Sequence, residues 1–212
     1  MELKRVVVTG LGAVTPIGND VQSFWQGLVN GTSGAADITK FDATNFKTQF
    51  ACEVKDFDVS QFLHRKESRK MDLFAQYAIA CSDEALADAG LDGEEPNVDH
   101  DRVGVIWGSG IGGFQTFMNE ALNFHESGGV PRFSPFFIPM MISDIAAGHI
   151  SIRHGFRGPN FCTVSACASG TNAMIDAFNY IRLGKAEVMV TGGSEAAITE
   201  GGIGGFNALK AL

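Results

Sequence analysis

The chain has 212 residues, 45% hydrophobic and 19% charged, enough apolar material for one large domain or two small ones with a buried core. A formal net charge of -8 argues against a general nucleic-acid binder, whose phosphate contacts need a basic face. No stretch has the length and apolarity of a membrane span, and the start, MELKRVVVTG, lacks a signal-peptide pattern, so a cytoplasmic setting without membrane attachment is expected.

In chain order, RVVVTG at 5–10 reads as a buried strand, and a helix is expected from Val21 through VQSFWQGLVNG. A short run, RKESRK at 65–70, sets four basic residues against one acidic residue within six positions. A long helix follows from Met71 and ends at Gly90. RVGVIWGSG at 102–110 is a second strand, and SGGVPRFSPFFIP at 127–139 is a long loop too apolar to be a solvated linker. Its Phe133, Phe136 and Phe137 are expected to pack against something, another subunit being one choice. NFCTVSA at 160–166 is a strand, residues 168–185 a helix, and AEVMVTGG at 186–193 a strand. Strands separated by helices of this length need crossover connections, so the fold class is α/β with a mostly parallel sheet covered on both faces.

The 26 glycines exceed ordinary usage, and one cluster follows the strand-like run at 102–107. Gly108-Ser-Gly-Ile-Gly-Gly113 matches the dinucleotide pattern G-x-G-x-x-G, yet no second strand with a terminal acidic residue follows at the required distance. Close backbone approach is the favoured explanation, and a nucleotide-binding module the weaker one. The four cysteines, Cys52, Cys81, Cys162 and Cys167, show neither CxxC spacing nor a neighbouring histidine pair, so no metal site and no disulfide framework is expected.

Within FCTVSACASG, Cys162 falls inside a strand and Cys167 at a strand-to-helix elbow. A thiol at a helix N-terminus lies at the positive end of the macrodipole beside unpaired N–H groups, an arrangement that favours thiolate and offers donors to an oxyanion. Small neighbours leave space for a bulky acyl group, as at a nucleophile elbow. Position alone leaves Cys167 open between nucleophile and buried packing residue, whereas Cys52, Cys81 and Cys162 read as packing residues. His64, His100, His125, His149 and His154 occupy runs, loops or helix ends, with none placed as an obvious base for the thiol.

These motifs together resemble the N-terminal half of the β-ketoacyl-[acyl carrier protein] synthases of the elongating, type II kind, condensing enzymes of the thiolase superfamily. The resemblance covers the whole chain. It is carried by VVVTGLGAVTPIGN at 6–19, RKESRKMD at 65–72, GSGIGG at 108–113, SPFFIP at 134–139, AAGHISIRHGFRGPN at 146–160, TVSACASG at 163–170 and VTGGSEAAITEGGIGGF at 190–206. It implies a layered α-β-α-β-α architecture, of which this chain carries only the first half-repeat with its insertions. On this resemblance residues 1–212 are expected to be one N-terminal domain that stops before its last strands, with the C-terminal half absent.

The resemblance further implies a reaction and a site. Cys167 takes an acyl chain as a thioester, and malonyl-acyl carrier protein loses CO₂ and attacks it, extending the chain by two carbons. The two assisting histidines and a structural lysine belong to the missing half, so the fragment alone is expected to acylate at most. Ile111 falls at the floor of the acyl pocket, Phe206 near the sulfur, and Phe137 on a loop that reaches into the partner's pocket across a homodimer interface. Lys66, Arg69 and Lys70 match positions facing the acidic acyl carrier protein, and Arg132 and Lys210 match further contacts from the other subunit. No cofactor is implied. Pro131 stands where a common variant has a second basic residue, and VSACASG replaces ATACTSG. A non-catalytic subunit of the chain-length-factor type is the alternative, against which the retained Cys167 counts.

Overall fold

The computed structural model describes residues 3–92 and 98–212. In chain order its elements are α1 (Val21–Val29), β1 (Ala36–Asp37), β2 (Phe50–Ala51), α2 (Arg65–Ser68), α3 (Leu73–Asp88), β3 (Val103–Gly108), α4 (Phe114–Glu126), α5 (Phe137–Met141), α6 (Ile145–His154), β4 (Asn160–Thr163), α7 (Ser169–Arg182), β5 (Val188–Gly193) and α8 (Glu200–Ala208). The main sheet is parallel, in the order β4-β3-β5, and β1 and β2 make a separate antiparallel pair.

All six residues of β3 are buried, as expected of a parallel strand covered on both faces. Its alternate side chains divide between two cores. Val103, Val105 and Trp107 join Phe74, Ala78, Ala146 and Ile150 of α3 and α6, while Ile106 packs with Ala173 and Ala177 of α7. The result is one helix-sheet-helix unit among the described residues.

The ends of α3 show why its sequence stops and starts where it does. Asp72 caps the N-terminus by accepting from Phe74 N–H, and its other oxygen accepts from the backbone N–H (3.0 Å) and hydroxyl (2.6 Å) of Thr116 in α4. One buried carboxylate thereby ties two helix starts together. At the other end Gly90 adopts φ +66, and the N–H groups of Gly90 and Leu91 donate to Ala87 and Leu86 carbonyls, which closes the helix in a Schellman motif. Gly184 repeats the arrangement after α7. Further along, Asp83 on α3 receives two bonds from the Arg153 guanidinium and one contact from His154 Nε2, which fastens α6 to α3.

The N-terminal segment differs from its expected form. Residues 5–10 join no ladder, and Val7 and Val8 are 58% and 79% exposed. A strand's hydrogen bonds need a partner strand, and none of the described strands pairs with this segment. It is held at its ends instead: Lys4 N–H donates to Arg182 O, Leu11 N–H to Asp88, and Ala13 N–H to Glu84. The glycines of VTGLG are explained by α3, since a Cβ on Gly10 or Gly12 would lie about 2 Å from the Ala85 or Cys81 carbonyl oxygen.

The loop before α5 also finds its partners inside the chain. Phe133 stacks on Phe124 and Phe137, and Phe137 stacks on Phe117, so one face of α4, the loop and the start of α5 share one row of rings.

Asp72→Ala removes a cap and leaves two buried donors on Thr116 without a partner. The expected loss is about 2–4 kcal/mol of unfolding free energy, measured by denaturant titration, with Asp72→Asn intermediate because its amide nitrogen meets the Thr116 N–H.

Candidate functional site

Between β4 and α7 the chain must turn from a strand into a helix within five residues, and it does so through Ala166 at φ +51, a left-handed conformation that an L-residue adopts at some cost. Cys167 follows directly, with its side chain exposed. The turn is held by the buried Ser169, whose hydroxyl donates to Ala166 O (2.7 Å) and accepts from Ser165 N–H (2.9 Å). Thr163 Oγ1 donates to Ser169 O and Asn172 Nδ2 to Ser165 Oγ, which closes a network around the elbow.

The start of α7 lies close above the strand ends. A Cβ on Gly108 would come within 2.3 Å of the Ser169 backbone, and one on Gly193 within 2.8 Å of Gly170 Cα. The glycines that end β3 and β5 are thus the condition for placing a helix N-terminus, and the thiol beside it, at the carboxyl edge of the sheet. Strand ends of this kind are where open α/β sheets carry their ligand sites.

The G-x-G-x-x-G loop runs beside this elbow, and a carboxylate from the same chain fills it. Glu195 Oε2 accepts from the N–H groups of Gly110 (2.7 Å) and Ile111 (3.0 Å), and Oε1 accepts from the Ser109 hydroxyl (3.2 Å). Ser109 Oγ in turn accepts from Gly112 N–H. On its far side the loop is pressed against α5, where a Cβ on Gly112 or Gly113 would strike the Met141 or Met140 carbonyl, and Gly112 needs φ +74 besides. Gly110 stands 3.3 Å, by its would-be Cβ, from Ala166 O. Loop and elbow are therefore one assembly. Glu195 was missed in the sequence because a single acid after GGS carries no local pattern.

The four cysteines separate by environment. Burial pushes the Cys81 thiol up to about 11, against a weaker opposing effect of the Val14 backbone. Burial also raises Cys162, with the carboxylates of Asp144 and Glu195 adding to the effect. Cys52, expected to pack inside, is exposed, so this expectation is corrected: it stands between Ala51, which packs against the small core of Ile38, Ala43 and Ile203, and the buried Glu53, and successive side chains along such a segment turn to opposite faces. All four are free thiols.

No histidine among the described residues has a hydrogen bond to Cys167. His64 caps α2 through Nδ1, His100 contacts Gly155 O, and His154 is taken by Asp83. His149 is half-buried, its buried Nε2 has no partner among the described residues, and burial lowers its pKa. Among the described residues no group of three or more His, Cys, Asp or Glu side chains is placed to hold a metal.

The other residues singled out in the sequence are distributed as follows. Ile111 is 41% exposed on the loop described above, and Phe137 is in the ring row. Phe206 is half-buried on α8. Lys66, Arg69, Lys70, Arg132 and Lys210 are all exposed, and Lys70 Nζ lies 4.9 Å over the Phe136 ring, which brings α2's end against the loop that carries Arg132. No described helix is long and apolar enough to cross a membrane.

The family model for the N-terminal domain of β-ketoacyl synthases matches residues 3–212. A protein of Synechocystis sp. named 3-oxoacyl-[acyl-carrier-protein] synthase 2 is 49% identical over all 212 residues, and its namesake in Staphylococcus aureus is 46% identical over 209. The chain spans about half the length of these curated relatives. Among solved structures, a β-ketoacyl synthase from Burkholderia phymatum superposes with a TM-score of 0.85 at 30% identity, covering 99% of this chain and 51% of that one. The ishigamide ketosynthase/chain length factor gives 0.88 at 27%, covering 99% and 52%. A ketosynthase of a type II polyketide system, in complex with its acyl-carrier protein and bound to a hexaketide, gives 0.81 at 27%, covering 96% and 55%.

Two outcomes test this geometry. Ser169→Ala leaves the Ser165 N–H without its acceptor, while the Ala166 carbonyl keeps the backbone N–H of residue 169 but loses the hydroxyl. The substitution is expected to lower stability by about 1–3 kcal/mol, read from denaturant unfolding. In wild type at about pH 8, iodoacetamide is expected to label Cys167 and Cys52 well before Cys162 and Cys81, as mapped by peptide mass. Labelling of Cys81 should climb only as pH approaches about 11.

Proposed function

The chain belongs to the β-ketoacyl synthase family through its N-terminal domain, and on that premise we propose that it supplies the acyl-accepting half of a 3-oxoacyl-[acyl carrier protein] synthase of fatty-acid elongation. The observation that carries the reading is the elbow: an exposed thiol directly after a left-handed Ala166, at the start of α7 and flanked in sequence by the small Ala166 and Ala168. The Cys167 sulfur attacks the carbonyl of an acyl thioester, the carbon–sulfur bond to the donor breaks, and the donor thiol leaves with a proton. Malonyl-acyl carrier protein then loses CO₂, and its C2 carbanion forms the new carbon–carbon bond as the Cys167–acyl bond breaks. The product is a 3-oxoacyl carrier protein, with the cysteine regenerated.

Since the chain spans half the length of its relatives, the histidines that assist decarboxylation are assigned to the other half of such a protein. The identities of 49% and 46% to 3-oxoacyl-[acyl-carrier-protein] synthases, against 27% to the ketosynthase of a type II polyketide system, favour the fatty-acid pathway. The free thiol at Cys167 speaks against a non-catalytic subunit of the chain-length-factor type.

Ile111 and Phe206 are proposed as acyl-pocket residues. The partner proposed for the exposed Lys66, Arg69, Lys70, Arg132 and Lys210 is the acidic acyl carrier protein, a carrier being present in the complex of one structural relative. Homodimer formation, with Phe137 near the partner's pocket, is supported by an outer strand, β4, whose neighbour Val164 is 63% exposed, and by bare Met174, Ile175 and Phe178 on α7. A cytoplasmic location accords with this pathway.

Incubation with an acyl-coenzyme A is expected to add one acyl group to wild type, seen by intact mass and mapped to Cys167. Cys167→Ala should abolish it, whereas Cys162→Ala should leave it. An unmodified wild type would favour the non-catalytic alternative. Lys66→Glu with Lys70→Glu should weaken acyl carrier protein binding by roughly tenfold or more at low salt, read by calorimetry, without changing transfer from acyl-coenzyme A.

A further inference from the structure

We propose that Glu195 is a positioning residue that sets the acyl-length selectivity of the Cys167 site by fixing the pocket-floor loop around Ile111. The inference rests on the acyl-transfer reading above and goes beyond it, since neither the family match nor the relatives' names give this glutamate a role.

Three observations carry it. The Glu195 carboxylate is spent entirely on the loop: both oxygens accept from residues 109–111, at 2.7, 3.0 and 3.2 Å. Charge-assisted bonds of this kind are the strong class, and two of the three act on successive peptide N–H groups, one on each side of the Gly110 Cα. The loop is also wedged from behind by the Met140–Met141 backbone, so the carboxylate and α5 hold it from opposite sides. With Gly112 tied to Ser109 Oγ, the backbone before and after Ile111 has no slack, and the depth at which its side chain stands is set by where Glu195 holds its N–H. Finally, Gly110 abuts the Ala166 carbonyl, so the same carboxylate fixes the distance between the loop and the residue before Cys167.

A glutamate that only stabilised the fold would alter unfolding without altering which acyl chains fit. One that positions the loop alters selectivity while leaving the thiol as reactive to a small reagent as before. Glu195→Gln keeps one acceptor for the two amides but loses the charge, and so falls between wild type and Glu195→Ala.

The test compares the rates at which Cys167 is acylated by octanoyl-, lauroyl- and palmitoyl-coenzyme A, with iodoacetamide alkylation as the size-independent control and hydrogen exchange at Gly110 and Ile111 as a readout that needs no acyl donor. In Glu195→Ala the ratio between the fastest and slowest donor should change by about tenfold or more, exchange at the two amides should rise by at least about tenfold, and alkylation should stay within about twofold of wild type. Glu195→Gln should give smaller changes in the same direction, and it carries the test by itself if the alanine variant does not fold. Unchanged donor ratios in a folded variant overturn the proposal, whatever the exchange rates do. If wild type is alkylated at Cys167 but acylated by none of the donors, the acyl-transfer reading fails, and the exchange rates alone then decide whether Glu195 holds the loop.

Discussion

The packing of a helix start directly onto the ends of two strands governs everything at the carboxyl edge of this sheet. Side chains at those ends would hold α7 off the sheet, and Gly108, Gly170 and Gly193 remove them. Once the backbones touch, only a sharp left-handed step at Ala166 can connect β4 to α7, and the buried Ser169 hydroxyl stabilises that step through both its donor and its acceptor capacity. Cys167 is exposed because the chain has no room to bring it inside. Strain, glycine content and thiol exposure are therefore three faces of one constraint.

The same edge explains the second glycine cluster. A loop with several N–H groups pointing one way attracts an anion, and here the anion is a carboxylate that β5 delivers. Because β5 and β3 are neighbours in the sheet, Glu195 and the loop arrive on adjacent strand ends by virtue of the parallel register alone. The assembly then leans on α5, whose preceding loop is itself ordered by rings from α4.

Much of this was legible in the amino-acid order, and the omissions have physical reasons. The strands at 103–108, 160–163 and 188–193 and the helices around α3 and α7 announce themselves by apolar runs, by periodicity and by the glycines that end them. Cys167 could be placed at an elbow because a strand pattern meets a helix pattern there. Residues 5–10 have strand composition, but a ladder requires a partner, and composition does not supply one. The rings of Phe133 and Phe137 were recognised as needing cover, yet whether α4 or a second chain provides it is a tertiary fact. Glu195 and the left-handed Ala166 leave no trace in spacing at all. Both are set by contacts between segments far apart in the chain.

Supplying the loop's anion from within also changes how a soluble phosphate would meet it. A tethered carboxylate acts at an effective concentration on the order of millimolar or more, present in every folded molecule and independent of cellular supply. A nucleotide would first have to displace it, exposing Glu195 and repelling it at once. The fingerprint that resembles a dinucleotide loop is thus occupied from the moment of folding, and its shape is inherited with the fold rather than regulated by a metabolite.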